Sequence, residues 1–157
     1  NKTSKNNSNS NSSNSNHAGS NISSNHGFID VYTTALYDTT GNYNLRVCLT
    51  ESNIINWQKD GQDNIENYQH NHVLRCVLVD EPLSNSSFYN SGSIVFNRYN
   101  YNINDLMQYN IDYSVNTAEW GNGNSGNWNS ENISVIAYIY NTVTKEIMQV
   151  EESHLMN

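Results

Sequence analysis

His70-Asn71-His72 is the one histidine pair whose spacing suits chemistry. Residues i and i+2 of an extended segment project to the same side, so two imidazoles there could hold one metal ion edge-on. A third ligand is required, and Glu51 on a neighbouring strand is the candidate. A cupin-type site would place a Glu shortly after the second His, but position 76 is Cys and the nearest acid is Asp80. The pair is therefore read as a structural, hydrogen-bonded one, with His70, His72 and Glu51 kept as the metal alternative and no cofactor expected.

Cys48 and Cys76 fall in different predicted strands. A bridge needs those strands to be neighbours with facing side chains. A buried, unreactive thiol fits equally, because Cys76 shares its side with Leu74 and Leu78 and no Lys or Arg cluster surrounds it. Residues 121–126 satisfy G-x-G-x-x-G literally, yet a phosphate cradle needs a strand before it and a helix N-terminus after it, and neither flank qualifies. Trp120 and Trp128 border this Gly/Asn loop. As the two tryptophans least suited to a core, they are the candidate sugar-stacking platforms of a glycan-binding module.

The elements that must position these residues are strands. Leu45, Val47 and Leu49 alternate with Arg46, Cys48 and Thr50, and Tyr109, Ile111, Tyr113 and Val115 alternate with polar residues, the two-residue period of a half-buried strand. Further strands are expected at Ile29 to Leu36, His72 to Val79, Ile94 to Ile103, Ile133 to Tyr140 (centrally placed) and Lys145 to Val150, the last two joined by a short hairpin. Ser52 to Trp57 and Asn104 to Gln108 have the spacing of single helical turns. Seven to eight short strands without a long helical pattern predict an all-β fold, an antiparallel β-sandwich of jelly-roll or Greek-key type.

Composition divides the 157 residues unevenly. Residues 1–27 hold nine Asn, nine Ser and one large aliphatic residue, Ile22, so burial cannot offset the entropy of ordering them; this stretch is expected to be a disordered tether. Residues 28–157 form the predicted single domain. They carry five basic residues against all fifteen acids, a balance of -10, which argues against nucleic acid or anionic lipid as partner. No run of 18 apolar residues occurs, so no membrane-spanning helix is expected.

Two segments resemble a known family. Leu45-Arg-Val-Cys-Leu-Thr-Glu51, then Gln58, then Tyr68-Gln-His70-Asn71-His72-Val-Leu-Arg75, are similar to the signature of the 28-kDa outer-membrane protein family, surface lipoproteins of the Bacteroidetes. Ile133 to Tyr140 followed by Lys145 to Val150 resembles that family's closing hairpin. The resemblance implies a β-sandwich domain of the cell envelope, at the outer-membrane surface or in the periplasm, acting without catalysis as an adhesion or interaction module toward a protein or glycan. In physical terms Arg75 can pair with Glu51 across strands, and His70, Asn71 and Gln58 can satisfy backbone groups where a long loop re-enters the sheet. The sequence leaves ligand and oligomeric state open.

Overall fold

The computed structural model describes residues 26–116 and 128–155. All strand pairing is antiparallel. The main layer is a four-stranded sheet in the order β10 (Ile147–His154), β9 (Ile133–Asn141), β3 (Tyr43–Glu51), β6 (Val73–Pro82), so β9 lies centrally as expected. Facing it is a two-stranded layer of β1 (His26–Thr34) and β8 (Ile94–Asn102). Two short strands, β2 (Thr39–Thr40) and β7 (Phe88–Tyr89), pair with one another, as do β4 (Ile54–Asp60) and β5 (Asp63–His70). The architecture is the expected all-β sandwich.

The core lies between the layers. Leu45, Val47 and Leu49 of β3 lie beside Ile133 and Val135 of the adjacent β9 on one face of the sheet, with Ile29 of β1, Leu83, Tyr89 and Ile103 closing the core. Four of these side chains, Leu45, Leu49, Ile133 and Val47, are wholly buried, each contributing about 2 kcal/mol of transfer free energy. On the opposite face of the sheet, Arg46 pairs with Asp80 and donates to the Tyr138 hydroxyl, while Tyr140 and Asn44 also donate to Asp80.

Three expectations are corrected. Tyr109 to Val115 is not a strand but the second half of helix α1 (Ile103–Asn116). Asn102 begins it: its Oδ1 accepts from the Asn104 N–H, and its Nδ2 reaches Asp105 in the first turn. The alternation at 109–115 is accidental, since Tyr109, Tyr113 and Val115 are all exposed, whereas Ile103 and Leu106, spaced at the helical period, meet the core. The helical turn expected at 104–108 lies inside the same helix.

The second correction is at Ser52 to Trp57, where β-branched Ile54 and Ile55 open a hairpin instead of a helical turn. Its two-residue loop begins at Gly61, whose φ of +62° supplies the left-handed conformation that a tight hairpin needs. The third concerns the tail: its last two residues, His26 and Gly27, already belong to β1, and the rest of the expected tether lies outside the described residues. So do the 121–126 loop and Trp120.

Candidate functional site

The signature residues gather at one place, where the β4–β5 ribbon leaves and re-enters the sheet. Both corners hold a residue with left-handed backbone, Asn53 at φ +60° on the way out and His72 at φ +52° on the way back. Asn and His are among the side chains that tolerate this conformation best. Asn71 Oδ1 accepts from the Asn53 N–H at 3.1 Å, Gln69 Nε2 donates to Asn53 Oδ1 at 2.7 Å, and the His72 N–H donates to Ser52 Oγ at 3.0 Å. The two corners are thereby laced together. Asn53 Nδ2 and the Ser52 N–H extend the lacing to Asn132, ahead of β9.

His70 ends β5 inside the ribbon. Its ring meets Tyr68 edge-on at 4.8 Å, and its Nε2 lies 3.2 Å from the Trp57 carbonyl oxygen on the partner strand. Gln58, half-buried, sits opposite Ile65 in the same ribbon. The positive φ at His72 breaks the extended path, so the two imidazoles do not project to one side as the i, i+2 spacing predicts. His72 Nε2 instead lies 3.3 Å from Glu152 of β10. Beside it, His154 Nδ1 is 3.3 Å from Ser134 Oγ, a neighbour that no spacing in the sequence assigns.

Glu51 belongs to the other face. It continues the Leu45, Val47, Leu49 side of β3 into the core, where its side chain is 4% exposed. Arg75 Nε donates to its Oε2 at 2.8 Å and the Asn129 N–H to its Oε1 at 2.9 Å, so both oxygens are occupied. A register shift explains how Arg75 reaches it: Thr50 pairs with Leu74 and Leu49 with Cys76, leaving Arg75 as the extra residue of a bulge. The structure thus does not bring His70, His72 and Glu51 together as metal ligands.

Trp128 is no exposed platform. It is half-buried against the core with the Arg75 guanidinium 5.8 Å from its ring centre, and its Nε1 has no hydrogen-bond partner among the described residues. The exposed aromatics are elsewhere: Trp57 and Tyr68 on the ribbon are 60% and 42% exposed. Sequence favours Trp120 and Trp128 over Trp57 as exposed platforms because the segment of Trp57 has the spacing of a helical turn; Gly61, first residue of a two-residue loop, is the hairpin signal that marks the ribbon.

Cys48 and Cys76 are both free. Cys76 pairs with core-facing Leu49, and Cys48, one residue earlier on β3, points to the opposite face. The same bulge puts Leu74 on the outer face, 57% exposed, rather than beside Cys76. Burial raises the Cys76 thiol pKa to about 11 and pushes Cys48 upward as well.

No family model matches the chain, and no curated protein matches it. Among solved structures, the chain is similar to a domain of the outer membrane lipoprotein Omp28 from Porphyromonas gingivalis, at 14% identity and a TM-score of 0.37, over 84% of this chain and 88% of that one.

Proposed function

We propose that the chain is a non-catalytic interaction module of the bacterial cell envelope, of the kind the 28-kDa outer-membrane lipoproteins carry. The observation that supports this reading is the state of Glu51. Both its oxygens are engaged by Arg75 and Asn129, and it is closed off from solvent on the core side. Of the remaining signature residues, Asn71 and His70 engage backbone groups of the ribbon at Asn53 and Trp57, and the His72 ring meets Glu152 of β10. A motif used in this way fixes a surface feature in space, and the feature it fixes is the β4–β5 ribbon with its exposed Ile55 and Trp57. Protease shaving of intact cells producing the full gene product tests the setting. Release of the domain into the medium is expected, and recovery only from the cytosolic fraction would reject it.

One observation favours a second reading, glycan recognition. Trp57 and Tyr68 present exposed aromatic surface on the ribbon, with Asn and Gln side chains around them. Glycan-array binding lost on Trp57→Ala but kept on Trp128→Phe would establish it, and an array without signal would remove it.

A further inference from the structure

The layers part between β1 and β10, with Leu45, Ala137 and Ile139 beneath the opening. The outer face of the β1–β8 layer is a separate surface. Ile29, Val31 and Val95 of the two strands turn inward, and Phe28, Asp30, Tyr32, Ile94, Phe96 and Arg98 turn outward. The outward face of an antiparallel layer is ordinarily polar. Here Phe28, Tyr32, Ile94 and Phe96 are all exposed on it, an apolar concentration of the kind that marks a binding surface.

The outward side chains form an ordered array. Tyr32 lies directly opposite Phe96, and the two rings meet at 4.8 Å with a tilt of 32°. Asp30 lies directly opposite Arg98, whose Nε and Nη2 donate to its two carboxylate oxygens at 2.6 Å each. The guanidinium held in this way is 4.7 Å from the Phe28 ring centre and 5.7 Å from that of Phe96. A polar island is thus fixed between two aromatic surfaces. Arg98 Nη1 has no hydrogen-bond partner among the described residues, and the Asp30 oxygens can each accept a second hydrogen bond.

The charges of this island select its occupant. Asp30 and Arg98 are neutral as a unit within a domain whose balance is -10. An anion there meets Asp30 and the field of the whole domain, a cation meets Arg98, and a second copy brings the same excess of acid. An apolar protein surface would cover the ion pair without replacing its water. A neutral group rich in hydroxyls can donate to Asp30 and accept from Arg98 at once, with its C–H faces on the flanking rings. We infer that the outer face of β1 and β8 binds a neutral glycan, its hydroxyls at Asp30 and Arg98 and its sugar faces on Phe28 and on the Tyr32–Phe96 pair. The inference rests neither on the ribbon nor on where in the cell the protein resides.

Retardation of the full chain in native gels cast with hydroxyethyl cellulose, laminarin or a mannan tests it, with polygalacturonate as the anionic control. Retardation by at least one neutral polysaccharide and none by polygalacturonate is expected. Tyr32→Ala and Phe96→Ala should each weaken it by about two- to tenfold, the worth of one ring contact. Tyr32→Trp, which keeps an aromatic surface, should retain binding and so separates loss of a ring from damage to the fold. An Asp30→Thr/Arg98→Thr double variant should also weaken binding, whereas an occupant held by the rings alone would be unaffected. Trp57→Ala should change nothing. The proposal is overturned by no retardation in any neutral gel, by equal retardation in polygalacturonate, or by affinity untouched in the double variant. Loss on Trp57→Ala with Tyr32→Ala silent would assign the binding to the ribbon instead. A dimer in sedimentation that Phe96→Ala dissociates would give the face to a second copy and overturn it equally.

Discussion

Glu51 and Arg75 meet at 2.8 Å across β3 and β6 with side chains only 4% and 10% exposed, an ion pair sealed at the end of the hydrophobic core. Pairs of this kind need not stabilise relative to an apolar replacement, but removing one partner strands a charge away from water. Glu51→Ala should therefore cost about 3 kcal/mol or more in urea unfolding. A Glu51→Leu/Arg75→Met double variant should lose less than the single one. An additive double loss would argue against the pair as drawn.

The ribbon should be separable from the core. His70→Ala removes the edge contact with Tyr68 and the contact with the Trp57 carbonyl. A loss of about 1 kcal/mol is expected, read as faster amide exchange in β4 and β5 with protection in β3 and β9 unchanged.

His72 offers a test of backbone strain. With φ at +52°, His72→Gly should change stability by less than about 1 kcal/mol, whereas His72→Val, β-branched in a left-handed conformation, should cost clearly more. Thermal melts of the two variants side by side decide it.

Asp80 should shape the acid limb of stability. Its hydrogen bonds with Arg46 hold the carboxyl below the ordinary aspartate value of 3.8, with Tyr140 and Asn44 adding to the effect. A carboxylate whose pKa is depressed by folding contributes stability that is present above 3.8 and is lost as pH falls through the lowered folded value, because the unfolded chain takes up the proton first. Asp80→Asn should be less stable than the parent near neutrality, and the difference should shrink in strong acid. The exposed setting keeps the effect small.

The cysteines should be chemically quiet. With the Cys76 pKa raised to about 11 by burial, and Cys48 on the opposite face of the sheet, native protein at pH 8 should alkylate slowly. It should form no intramolecular disulfide under mild oxidation. Both thiols should label at once in denaturant.

Much was determined by the sequence alone. The alternation of Leu45, Val47 and Leu49 and the run from Ile133 to Ile139 identified the two central strands, because one face of a pleated strand must be apolar to be buried. The pairing of Arg75 with Glu51 was equally accessible, since opposite charges on two predicted strands can form a charge-assisted pair. Tertiary structure decided the rest. A bulge that aims Arg75 and a left-handed corner at His72 shift the register and break the alternation, and neither is marked by residue type. The helix over 103–116 prevailed over a two-residue rhythm because Asn102 caps it and Ile103 and Leu106 find the core. Whether a side is open, as between β1 and β10, depends on which strands pair, and pairing is a property of distant segments that no local pattern carries.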